Sequence, residues 1–155
     1  ICLISVSAVS AQEKKSEQPY FTEKLEMYVS NYTTRVGERI MLTLNMMSKL
    51  NDSPFQADVR KTNIAFTWPS YRVDTVCYQL PVGYTLEKIP ATVSLKSEFG
   101  EYTTEVSKTG EMLQYIRTFR IFKGEYPVEK YEEIVSFFEK VIKADDSKVL
   151  LSRKL

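Results

Sequence analysis

From Phe21 onward the chain alternates apolar and polar residues with a period of two, and that period constrains its fold more than any other feature. Successive side chains of a strand point to opposite faces, so such a pattern sends one set into a core and the other towards water. Leu25, Met27 and Val29 alternate with Glu26, Tyr28 and Ser30. Ile40, Leu42, Leu44 and Met46 alternate with Met41, Thr43, Asn45 and Met47. Thr33-Thr34-Arg35 and Val36-Gly37 lie between these two runs and predict a hairpin joining them. Asn51-Asp52-Ser53-Pro54 is a strong turn signal that opens a loop to Thr62. Further strands are expected at 63–67, 71–80, 84–89 and 91–99, and a hairpin over 102–107 and 112–122 around Thr109-Gly110-Glu111. Many short strands separated by turn chemistry point to an antiparallel β-sandwich or barrel.

One segment departs from this period. Val128, Tyr131, Ile134, Val135, Phe138, Val141 and Ile142 recur at spacings of three and four, the stripe of an amphipathic helix over about 128–143. Pro127 sits where a helix start tolerates a missing N–H. Glutamates load the first half and lysines the second, as the helix dipole favours. The helix is expected to cover one side of the sandwich, and Ser147 to Ser152 to return as a final strand.

Residues 1–11 are apolar or small and uncharged, and Gln12-Glu13-Lys14-Lys15 follows at once. This reads as a secretory signal peptide truncated at its start, with Val9-Ser10-Ala11 as the small-residue cleavage box and the cut after Ala11. The alternation of Leu3, Ser5 and Ser7 with Ile4, Val6 and Ala8 also allows a β-strand. Residues 12–20 then read as a polar linker and 21–155 as a single β-sandwich domain. An 11-residue stretch is too short to span a bilayer, so no membrane span is expected.

Composition excludes more than it suggests. Lys and Arg number 21 against 20 Asp and Glu, a formal charge of +1, which leaves no field to steer nucleic acid. Histidine is absent, which removes Ser-His-Asp and Cys-His catalysis and His-containing zinc sites. The two cysteines, Cys2 and Cys77, cannot form a Cys-rich metal site, and Cys77 reads as a small packing residue of a strand. No catalytic residue, metal or cofactor is therefore expected.

The second half runs Leu80-Pro81-Val82-Gly83-Tyr84, Ile89-Pro90, Glu98-Phe99-Gly100-Glu101-Tyr102, Lys123-Gly124-Glu125-Tyr126-Pro127, Tyr131, Phe137-Phe138 and Lys143-Ala144-Asp145. This ordered series, with Val29-Ser30-Asn31-Tyr32, Gly37 and Arg60 upstream, resembles the uncharacterised C-terminal domain that follows the transglutaminase-like domain of exported Gram-negative proteins. The resemblance covers roughly Leu25 to Leu151. It implies a jelly-roll-like β-sandwich with no activity of its own, because the family's catalytic Cys, His and Asp belong to the preceding domain. It also implies export to the periplasm or cell surface, with a transglutaminase-like catalytic domain or an envelope protein as partner. Here a leader-like segment precedes the domain directly, so the chain is expected to be either a stand-alone version or a fragment.

Aromatic residues make up 12% of the chain. Trp68, Tyr71, Tyr84 and Tyr102 fall at expected loops or strand ends and are the candidate contacts for a ligand or partner, a glycan among them. The functional expectation is a non-catalytic accessory domain, with a stand-alone glycan-binding module of the cell envelope as the rival.

Overall fold

Residues 5–9, 23–29, 31–55 and 60–154 are described by a computed structural model of the chain. The expected period of two is realised as antiparallel sheet throughout. The strands are β1 (Ser5–Val9), β2 (Lys24–Tyr28), β3 (Thr34–Val36), β4 (Arg39–Thr43), β5 (Ile64–Phe66) and β6 (Ser70–Gln79). They continue with β7 (Tyr84–Lys88), β8 (Val93–Lys96), β9 (Gly100–Thr109), β10 (Met112–Ile121), β11 (Gly124–Tyr126) and β12 (Lys148–Arg153). A 3-10 turn at Val128–Lys130 leads into the helix α1 (Tyr131–Asp145).

The strands form a six-stranded sheet in the order β2-β1-β6-β10-β9-β8, a four-stranded sheet in the order β3-β4-β12-β7, and a ribbon of β11 with β5. The chain crosses repeatedly between the two larger sheets, which gives the sandwich its jelly-roll-like character. The β9–β10 hairpin closes through Gly110-Glu111 with Thr109 opposite Met112, and β3–β4 closes through Gly37-Glu38 with Val36 opposite Arg39. Both glycines have φ near +60°, at 59° and 61°, the first position of the two-residue turn whose twist matches the strands it joins.

The expected hairpin between residues 25–29 and 40–46 is not formed. Lys24–Tyr28 pairs with β1, while Thr34–Val36 supplies the hairpin partner of β4. Asn31, at φ 61°, is in the left-handed conformation and lies between the strands of the two sheets. Ser5–Val9, within the segment read as a leader, lies as β1 between β2 and β6. The expected cut after Ala11 and the linker 12–20 lie outside the described residues.

Two cores share one face of the six-stranded sheet, over β6, β10 and β9. Val76 and Tyr78 of β6 and Leu113 and Tyr115 of β10 pack against Ile40, Leu42, Val149 and Leu151 of the four-stranded sheet. Further along the same face, Tyr102 and Ile121 pack against Ile134, Phe137, Phe138 and Val141 of α1. The β5–β11 ribbon adds Ile64 and Tyr126 to this second core. Its rings meet mostly edge to face, as Phe138 does with Phe55, Phe119 and Phe137. Such pairs add about 0.5–1.5 kcal/mol each beyond the burial of their area. The helix forms where its stripe requires, and Phe137 and Ala144 join the expected apolar positions in the interior.

Candidate functional site

The strand β8 is the last in its sheet, and among the described residues no strand pairs with its far side. Its direction is fixed by the turn that follows. Ser97 N–H bonds the Gly100 carbonyl at 3.0 Å, and Ser97 Oγ accepts the N–H groups of Phe99 and Gly100, each at 3.2 Å. Lys130, at the start of α1, bridges Glu98 Oε1 at 3.0 Å and Glu133 Oε1 at 2.9 Å, which ties the helix start to this turn. The two carboxylates hold the Lys130 ammonium above its ordinary pKa.

Between β8 and α1 lies a cleft of about 570 Å³. Leu95, Phe99 and Phe137 form its apolar floor, with Glu132 and Glu133 towards the helix start and Lys140 two turns on. Because Ser97 and Gly100 are a hydrogen-bonded pair, the alternation of an antiparallel ladder makes Leu95–Tyr102 and Val93–Thr104 bonded pairs also. Ser94 and Lys96 therefore turn their N–H and C=O groups outward, away from β9. The cleft joins an open backbone edge to a polar helix flank.

Among the described residues the buried ionic cluster lies elsewhere, at the seam between the two cores. Arg117 of β10 is 1% exposed and Asp145, at the end of α1, is 0% exposed. Arg117 Nε donates to Asp145 Oδ1 at 2.7 Å and its Nη2 to Oδ2 at 3.1 Å, a two-pronged pair. Asp145 also accepts from Asn45 Nδ2 and the Tyr102 hydroxyl, each at 2.7 Å, and from Leu50 N–H at 3.1 Å. Arg117 Nη1 reaches Asp74 Oδ2 at 3.2 Å, and Ser48 donates to the same oxygen. Burial alone would lower the Arg117 pKa, but the Asp145 carboxylate, with Tyr102 and Asp74, more than offsets it and holds the guanidinium above its ordinary value. Fully bonded and closed to solvent, the cluster locks the loop after β4, the helix end and the sheet together.

Three tyrosines flank this seam. Burial pushes the Tyr78 hydroxyl well above its ordinary pKa, with Tyr32 and Tyr115 adding to it. Burial likewise raises Tyr102, assisted by Tyr115 and Asp145. Burial lifts Tyr115 to about 12, partly offset by the neighbouring Tyr102 hydroxyl. The two hydroxyls nevertheless do not reach hydrogen-bond geometry, and Tyr115 is the buried side chain left without a partner among the described residues.

The four aromatic residues singled out in the sequence are not brought together. Trp68, in the turn before β6, is 82% exposed, and Tyr71, at the start of β6, is 37% exposed. Tyr84 packs half-buried against the first core, and Tyr102 is 0% exposed with its hydroxyl on Asp145. They form no common platform. Cys77 is half-buried on the outer face of the six-stranded sheet, with Gln114 Nε2 3.9 Å from its sulfur. Among the described residues no cluster of acidic or cysteine side chains is arranged to hold a metal, and no helix is long and apolar enough to cross a membrane. The cleft was not legible in the sequence. The polar row Glu132, Ser136, Lys140 beside the helix stripe marks one wall, but the edge position of β8 depends on strand order.

Residues 38–151, well over half of the chain, match the model of a family described as a domain of unknown function with a solved structure (DUF3858). The chain belongs to that family. Its fold is similar to that of a crystal structure from Parabacteroides distasonis ATCC 8503 described as a "putative protease", with a TM-score of 0.58 and 13% sequence identity. The match covers 74% of this chain but 23% of that one, so this chain spans about a quarter of the longer protein. No curated protein matches the sequence.

Proposed function

We propose that this chain is a non-catalytic interaction domain of an exported transglutaminase-like protein, and that its β8–α1 side meets the partner. The observation that carries the reading is the contrast between its two polar sites. The buried ionic residues Asp74, Arg117 and Asp145 are spent on one another in the interior, whereas the open cleft offers an unpaired backbone edge beside Glu132, Glu133 and Lys140. A general acid or base must reach a reacting proton, and the buried cluster presents none to solvent. The absence of histidine from the whole chain adds weight, and so does the small share of the longer protease-described chain that this fold covers. In this reading the chemistry belongs to a separate domain and this one positions it or its substrate.

The coding sequence upstream of Ile1 tests the proposal. An open frame running into a domain with Cys, His and Asp is the expected result, and a frame without one would remove the transglutaminase partner. Export is tested on the cell-envelope fraction, where mass spectrometry should find the mature N-terminus of the polypeptide within a leader's processing site. For the rival, glycan-binding reading, the favouring observation is Trp68, which stands exposed three residues before Tyr71. Trp68→Ala should abolish glycan-array binding if that reading holds, and leave no array signal to lose if it does not.

A further inference from the structure

We propose that the β8–α1 cleft binds an extended peptide that adds a strand to β8 and carries the pattern basic-x-apolar-x-acidic. The inference rests on the reading of the chain as an interaction domain and names what its open edge recognises. A strand laid beside β8 would bond the outward groups of Ser94 and Lys96, as every observed pairing in this sheet is antiparallel. The peptide residue opposite Leu95 shares that side chain's face, so it points inward over Leu95, Phe99 and Phe137. That position calls for an apolar side chain.

Positions two before and two after it point inward as well. The Lys130 bridge sets the start of α1 beside the end of β8, so Glu132 lies near the Ser97 end and Lys140 near the Val93 end. An antiparallel peptide enters at the Ser97 end, so its earlier inward residue meets Glu132 and its later one meets Lys140. The dimensions agree. Eight helical residues from Glu132 to Lys140 rise roughly 12 Å. Four extended residues between the outer inward positions rise roughly 13 Å. The charges of the cleft thus fix both the composition and the direction of the strand it takes.

Fluorescence anisotropy with a labelled peptide of the pattern Lys-Thr-Leu-Thr-Glu, flanked by threonines, tests this on the intact chain. Saturable binding is expected, with a roughly tenfold preference over the reversed pattern Glu-Thr-Leu-Thr-Lys, the size expected for two rim charge pairs turned from attraction to repulsion. N-methylation of both threonines beside the leucine should remove binding, since those amides face Ser94 and Lys96. Glu132→Lys combined with Lys140→Glu keeps the net charge and should invert the preference between the two peptides. Ser94→Pro removes an outward donor at a position where an edge strand tolerates proline, and should abolish binding while circular dichroism is unchanged. No saturable binding, binding indifferent to N-methylation, or a charge swap without inversion would each overturn the proposal. So would a concentration-dependent mass in sedimentation that Ser94→Pro abolishes without any peptide binding, because the edge would then pair with a second copy. A transglutaminase-like domain found upstream but retaining its activity and association with Ser94→Pro would leave the accessory role standing and refute only the cleft.

Discussion

Asp145 takes hydrogen bonds from Arg117, Asn45, Tyr102 and Leu50 N–H, and every one of these donors is held inside the molecule by it. Arg117→Met leaves the Asp74 and Asp145 carboxylates without their shared counter-ion, and Asp145→Ala leaves Arg117 Nε and Nη2 and three further donors unmet. Either change is expected to cost roughly 3–5 kcal/mol, the range for breaking one side of a buried pair, read as a fall in the urea midpoint. Arg117→Lys retains the charge without the planar fork and should cost less than Arg117→Met. The cluster left a trace in the sequence. Asp74 is in phase with Val76 and Tyr78, and Arg117 with Leu113, Tyr115 and Phe119, so each charge sits where the pattern calls for an apolar residue. The pattern marks both as inward but cannot pair them, because Asp145 arrives from a helix 28 residues beyond Arg117.

At the scale of elements, α1 is held by rings. Phe138 touches Phe55, Phe66, Phe119 and Phe137, so Phe138→Ala empties the centre of the second core and is expected to cost about 3–5 kcal/mol in chemical denaturation. The strand β1 makes a different prediction. Val6 to Val9 pair with Tyr78 to Thr75, and Ser5 to Val9 pair with Tyr28 to Lys24. A chain beginning at Gln12 leaves these two strands without their common neighbour. Its amides at 75–78 should exchange with deuterium faster than in the chain beginning at Ile1, and unchanged exchange would show that β1 contributes nothing to the sheet. Elements with their own periodicity and turn chemistry, such as α1 and the β9–β10 hairpin, were readable in the sequence. The β5–β11 ribbon was only half readable, since Gly124–Tyr126 spans three residues and carries no period. A change of sheet at Asn31 looks, in sequence, like an ordinary turn, so the pattern points to pairing 25–29 with 40–46 where β3 in fact pairs with β4.

The whole molecule has a common response to alkali. Tyr78 belongs to the first core, Tyr102 to the second, and Tyr115 to the first beside the seam, and all three are raised from 10.0. Below pH 10 the folded and unfolded chains hold these protons equally. Above it the unfolded chain releases them while the folded chain keeps them, so stability falls as pH rises. Each retained proton steepens the fall by roughly 1.4 kcal/mol per pH unit. Denaturation midpoints should be level up to about pH 9.5 and then drop, with the share of tyrosinate absorbance that belongs to these three side chains appearing in step with unfolding. If Arg117 couples the cores, that absorbance rises in one transition, and Arg117→Met should split it in two. The order of the strands carries a last consequence. β12 lies between β4 and β7, so strands begun at Arg39 and Tyr84 wait for residues 148–153 before their sheet has a centre. On the ribosome this four-stranded sheet cannot close until its central strand, the last of the domain, has emerged, so one wall of the first core stays open while the preceding strands are made.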